Sequence, residues 1–127
     1  MNIPENLLYS PDHLWIQRAD DGSLLAGITD YAQDLLGDIV FVEAPAVDSV
    51  LVAGTPCGLV ESVKTGSDLH APVSGTVIAI NETLQGNPEF INDAPYKTWI
   101  FKLVAANEAD TSTLLSAADY ATLLNAS

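Results

Sequence analysis

Short apolar runs separated by glycine- and proline-bearing turns set the rhythm of this chain. Leu14-Trp15-Ile16 and Leu24-Leu25-Ala26 read as two strands. Asp20-Asp21-Gly22-Ser23 joins them, with the glycine supplying the positive φ of a tight hairpin. From Ile28 to Gly37 the pattern changes to a short helix, with Thr29 or Asp30 to cap its free N–H groups and Gly37 to end it. Ile39-Val40-Phe41-Val42 is a β-branched and aromatic strand, halted at Pro45, and Val50-Leu51-Val52 leads into an Ala53-Gly54-Thr55-Pro56 turn. Residues 58–63 and 75–80 are two further strand candidates; Gln85-Gly86-Asn87-Pro88 is a turn, and Trp99 to Leu103 is the last strand. In the tail, Asn107 caps a helix running to Leu115, and Ser116 with Asp119 resembles a capping box for a second. Leu114, Leu115, Leu123 and Leu124 are expected to dock this tail on the body. Many short strands with Gly/Pro turns predict a mainly β sandwich or flattened barrel. One domain is expected over 1–127, with its core at about 12–104 and a helical tail at about 107–125.

The stretches on either side of Lys64 mirror each other. Gly54 lies 10 residues before it and Gly75 lies 11 after; Val50 and Ile78 each lie 14 away. Two similar halves related by a pseudo-two-fold would place Lys64 on the hairpin between them.

Composition narrows the function classes. The 127 residues are 48% hydrophobic, enough for a core without disulfide or metal. No apolar run approaches the ~20 residues of a membrane helix, and the N-terminal Met1-Asn2-Ile3-Pro4-Glu5 reads as neither signal nor transit peptide. A single cysteine, Cys57, excludes an internal disulfide and suits a reducing compartment, so a cytoplasmic, monomeric protein is expected. Four basic residues face 17 acidic ones, a net −13. That field repels phosphate backbones and anionic membranes, and favours partners with basic clefts.

Scarcity singles out the cations. Arg18 sits beside a turn, and Lys97 and Lys102 flank the last aromatic segment. Lys64 alone lies mid-chain, in Val60-Glu61-Ser62-Val63-Lys64-Thr65-Gly66-Ser67-Asp68-Leu69, where Gly66 and Ser67 suit a tight turn. A lysine on a hairpin tip is suited to bear a covalent arm, because tethering makes each later encounter local. On the hairpin alone, an ordinary surface lysine is the commoner case. Cys57 paired with His70 or His13 would be an enzyme's nucleophile and base, but nothing nearby lowers the thiol pKa. The two histidines lack metal-ligand spacing.

The stretch Glu61-Ser62-Val63-Lys64 with Ser67-Asp68-Leu69 and Ala71-Pro72-Val73-Ser74-Gly75 resembles the lipoylation site of glycine cleavage H proteins. The likeness extends over His13 and Trp15, residues 27–33 and 36–43, Asn87-Pro88-Glu89, Pro95-Tyr96 and Trp99-Ile100. Biotinyl carriers place Met on both sides of their lysine, whereas Val63 and Thr65 stand here. The resemblance implies a lipoyl/biotinyl-type hybrid barrel-sandwich with a short internal helix and a helical tail. It implies lipoate on Lys64, and Glu61 and Gly75 presenting that lysine to the lipoylating enzyme. It implies a non-catalytic carrier of glycine breakdown. The carrier takes an aminomethyl group from glycine decarboxylase to aminomethyltransferase, which serves tetrahydrofolate, and electrons to dihydrolipoamide dehydrogenase. The hard chemistry then belongs to cofactors and partners.

The chain departs from that pattern at Leu14, where the family usually has a glutamate in the surface cleft that holds the loaded arm. It departs also at Leu35, histidine in some members, and at Lys97-Thr98, where glycines often stand. Leu14 cannot accept a hydrogen bond from an amine, so shielding of the arm is expected to be weaker or arranged differently. An H-like relay that donates lipoate to other complexes, or an unmodified binding module, fits the same residues.

Overall fold

The computed structural model describes residues 2–125. In chain order the elements are β1 (Leu8–Tyr9), β2 (Leu14–Arg18), β3 (Leu24–Ile28), α1 (Asp30–Leu36), β4 (Ile39–Glu43), β5 (Val50–Leu51), β6 (Pro56–Ser62) and β7 (Gly66–His70). There follow β8 (Gly75–Ile80), a 3-10 turn (Glu82–Gln85), α2 (Phe90–Asp93), β9 (Phe101–Ala105), a second 3-10 segment (Glu108–Thr113) and α3 (Ala117–Asn125). The strands form a six-stranded antiparallel sheet, β1-β2-β3-β9-β8-β5, and a three-stranded one, β4-β6-β7. The mainly β architecture with a short internal helix and a C-terminal helix is the one the sequence predicts.

One hydrophobic cluster draws on both sheets, with Ile16, Ala26, Val77 and Leu103 from the larger and Val42, Val60 and Leu69 from the smaller. Each fully buried aliphatic side chain contributes roughly 1.5–3 kcal/mol. Successive strand residues point to opposite faces, yet Leu14, Trp15 and Ile16 are all buried. Leu14 and Ile16 enter the main cluster, while Trp15 joins Leu7, Tyr9, Ala117 and Tyr120 in a second cluster beneath α3. The tail therefore covers what would otherwise be an exposed sheet face.

The mirror spacing about Lys64 has a simple cause. Pairs Val60↔Ser67 in β6–β7 and Leu51↔Gly75 in β5–β8 centre, to within one residue, on Val63. A single long hairpin runs from β5 to β8, its arms passing from the large sheet into the small one.

Several boundaries differ from expectation. The turn comes at Val63–Thr65; Gly66 and Ser67, read as the turn, already belong to β7, because Ser62 closes the loop one step earlier (below). Trp99 and Ile100 precede β9, whose pairing with β8 and β3 begins at Phe101. The expected helix from Asn107 to Leu115 is a 3-10 segment, capped as anticipated by the Asn107 side chain on the Ala109 N–H. Ser116 does accept from the Asp119 N–H at 3.1 Å. Of the four leucines expected to dock the tail, Leu123 is exposed; Ala117 and Tyr120 carry the buried face of α3. Among the described residues no helix is long and apolar enough to cross a membrane.

Candidate functional site

Three residues, Val63-Lys64-Thr65, connect β6 to β7, and Ser62 holds them in shape. Its hydroxyl accepts from the N–H groups of Lys64 (3.2 Å) and Thr65 (3.1 Å) and lies 3.1 Å from the Thr65 carbonyl, to which it donates. The Ser62 N–H donates to that carbonyl at 2.7 Å. Serine at a strand end, two residues before a loop tip, is the local side-chain-to-backbone device of such turns. Ser62→Ala is expected to speed amide hydrogen exchange at Lys64 and Thr65 about fivefold and to lower the urea-unfolding free energy by about 1 kcal/mol.

A second support comes from outside the hairpin. The Val63 N–H donates to the Asp38 carbonyl at 3.0 Å, tying the loop to the turn between α1 and β4. That turn is itself pinned by Asn92 of α2. The Asn92 amide donates to Gln33 Oε1 and to the Gly37 carbonyl, both at 2.9 Å, and its oxygen accepts from the Ile39 N–H at 2.8 Å. Gly37 ends α1 with φ 82°. The Lys64 stem crosses it so closely that a Cβ there would lie 2.9 Å from Lys64 Cε. Glycine is needed at this position for its backbone angle, whereas the exposed tip of Lys64 could swing aside from an added Cβ.

Lys64 is exposed, and among the described residues its Nζ has no hydrogen bond or ion pair. The other lysine near a strand, Lys102, is paired with Asp21 at 3.4 Å. Glu61 is exposed on the same hairpin, opposite Phe41 on one side and Gly66 on the other. Gly75 is elsewhere, buried in β8 of the large sheet, where a Cβ would fall 2.3 Å from the Val104 carbonyl oxygen. The fold therefore joins Lys64 and Glu61 on one element and gives Gly75 a packing task.

Beside the hairpin lies a cleft of about 130 Å³. Such a volume is well below the 300–1,000 Å³ that houses a drug-sized ligand, so it suits the end of a chain. One wall is α1, through Ala32, Leu35 and Leu36; the other is the hairpin, through Val60, Ser67 and Leu69. Ile28 lines it too, and Asp12, His13 and Asp68 supply its polar groups. Leu14 is not part of the lining. It pairs with Ile28 and lies in the main core at 1% exposure, beneath the cleft. Leu35, 59% exposed, stands at the cleft's edge.

The Cys57 thiol is half-buried, and burial pushes its pKa up to about 11, away from an activated nucleophile. Among the described residues no group of three His, Cys, Asp or Glu side chains is placed to hold a metal. Reading the sequence missed Ser62 and Asn92. The first had a local signal, a hydroxyl two residues before the tip; the second acts across 53 residues and had none.

The sequence model of the glycine cleavage H-protein family matches residues 7–127. A glycine cleavage system H protein of Methylobacillus flagellatus is 64% identical over 124 residues, 98% of this chain and 99% of the relative. One from Listeria welshimeri is 55% identical over 121 residues, covering 94% and 96%. The crystal structure of a glycine cleavage system H protein from Mycobacterium marinum superposes with a TM-score of 0.86 at 38% identity, covering 97% of this chain and 99% of that one.

Proposed function

The chain belongs to the glycine cleavage H-protein family, and from that membership we propose that Lys64 bears a lipoyl group in amide linkage and works as a mobile carrier. Membership makes the protein a carrier component of the glycine cleavage system. The observation that carries the lysine assignment is the setting of Lys64: an unpaired amine on a three-residue loop whose base is held by Ser62 and Asp38. Such a base is rigid while the side chain beyond it is free, which is what a tether requires.

When bound, the lipoyl group supplies a dithiolane that opens to accept an aminomethyl unit from glycine and is reoxidised after that unit leaves. The chain's own residues bind, orient and shield. Leu35, Leu36, Val60 and Leu69 offer the arm an apolar lane next to its attachment point, and Asp12 and Asp68 bring negative charge for an aminomethyl cation. Leu14 does not leave an acceptor missing from this lane, since its side chain is committed to the core. Glu61, exposed beside the tip, is a contact for the enzyme that attaches lipoate. The net −13 steers the carrier toward basic clefts on its partners, glycine decarboxylase, aminomethyltransferase and dihydrolipoamide dehydrogenase, and makes those encounters salt-sensitive.

Intact mass of protein made with lipoate in excess is expected to show one lipoyl increment. The lipoylated form is expected to support glycine–bicarbonate exchange by glycine decarboxylase. A lipoylated protein inactive in that exchange, yet able to restore lipoate to another dehydrogenase complex, would instead support the relay.

A further inference from the structure

The hydroxyl of Tyr120, on the C-terminal helix, stands 2.8 Å from His13 Nδ1 and 2.8 Å from Thr29 Oγ1. The first lines the cleft, and the second caps the helix that forms one of its walls. His13 lines the cleft from the β1–β2 loop with a left-handed φ of 70°. Thr29 caps α1, its Oγ1 accepting the Ala32 N–H at 3.2 Å, and α1 is the wall that faces the hairpin. The Thr29 N–H also donates to the His13 carbonyl at 3.1 Å. Tyr120 is itself immobilised. It is fully buried and stacked on Tyr9, with ring centroids 4.7 Å apart and planes within 7°. The His13 ring is held a second time, against Tyr31 at 4.9 Å.

The protonation states suit this arrangement. Burial pushes the Tyr120 hydroxyl up to about 12, with the Thr29 hydrogen bond opposing, so it keeps its proton. Burial lowers His13 from its ordinary 6.5, with Asp12 opposing. A neutral hydroxyl between a neutral imidazole and a threonine donates once and accepts once.

We propose that Tyr120 is a positioning residue: its hydroxyl latches the His13 loop to the N-terminal end of α1, so that the C-terminal helix fixes where the α1 wall of the cleft stands and thereby the shielding of the loaded arm from water. This rests on the reading of Lys64 as lipoylated and of the cleft as the arm's resting place. The unwanted reaction is hydrolysis, in which water cleaves the S–CH₂NH₃⁺ linkage to leave the thiol, formaldehyde and ammonium, with no redox change.

Tyr120→Phe keeps the ring stack and removes only the latch. Leu115→Ala trims the same apolar cluster without touching the hydroxyl, and serves as the control for lost stability. Two readouts are compared with wild type. The first is amide exchange at Ala32 in unmodified protein. The second is the lifetime of the aminomethyl form, charged from glycine by the decarboxylase and followed as ammonium released without aminomethyltransferase. Tyr120→Phe is expected to speed exchange at Ala32 and shorten the lifetime, each about fivefold. Leu115→Ala is expected to change neither by as much as twofold. A wild-type lifetime in Tyr120→Phe, or equal effects in both variants, would overturn the latch. If the wild-type aminomethyl form decays as fast as free aminomethyl-dihydrolipoamide, the cleft does not shield and the latch falls with it. A wild-type protein without a lipoyl increment would instead remove the Lys64 reading on which both stand.

Discussion

Lys64→Arg is expected to leave the fold unchanged and to abolish lipoylation and glycine cleavage together. The side chain is exposed and its Nζ takes no part in any contact that holds the loop. Ser62 and the Asp38 carbonyl bind the backbone around position 64, not its amine, so the urea midpoint should move by no more than about 0.5 kcal/mol equivalent. Arginine keeps the positive charge and a similar stem across Gly37. Its guanidinium stays protonated at any physiological pH and has no lone pair to attack an acyl carbonyl, whereas lysine yields a nucleophilic amine on losing its proton. Intact mass and glycine–bicarbonate exchange check this result. A retained increment would move the attachment to another lysine. Lys102 is the less available, being ion-paired with Asp21; Lys97 is exposed beside Tyr96.

Gly75→Ala is expected to cost about 3 kcal/mol of stability, one of the larger losses available to a single methyl group here. The added carbon would lie 2.3 Å from the Val104 carbonyl oxygen, 3.0 Å from its carbon and 3.1 Å from the Ala105 Cα. These are backbone atoms of β9, paired to β8 along Gly75↔Ala105 and Thr76↔Val104, so they cannot swing aside as a side-chain tip would. The strands must separate locally or slip, and Gly75 also pairs with Leu51 across β5. Urea unfolding measures the loss, and lipoylation assayed well below the transition midpoint separates it from function. Near-normal lipoylation of the folded variant makes Gly75 a packing residue. A loss below about 1 kcal/mol with sharply slower lipoylation would make it a contact for the modifying enzyme, as the family resemblance implies.

Which parts of this molecule were legible in the sequence follows from how far apart the interacting residues lie. The Thr29 cap and the Gly37 stop of α1 are interactions within one helical turn, and local residue types reveal them. The β2–β3 hairpin and the position of Lys64 between two strands are similarly local. The boundary error at Gly66 arose because two devices competed for the turn, a glycine-serine pair and the Ser62 hydroxyl, and only the hydrogen-bonded geometry decides between them. The mirror spacing about Lys64 was visible in the sequence, but its cause was not. The cross-strand register shows the folded hairpin that accounts for it.

Lys64 and its neighbourhood were determined by the sequence alone: a scarce cation in a motif, on an acidic chain, at the centre of a mirrored pattern. The family resemblance placed Leu14 at the cleft, where members usually have a glutamate. Only the tertiary structure decided that Leu14 belongs to the core, that Asp12 and Asp68 line the cleft, and that Tyr120 reaches His13 across 107 residues. The physical reason is that hydrophobic burial is non-directional and a strand's two faces look alike in sequence. Which face of β2 meets the core and which meets α3 is settled by the packing of elements distant in the chain, and the polar contacts that furnish the cleft follow from that packing.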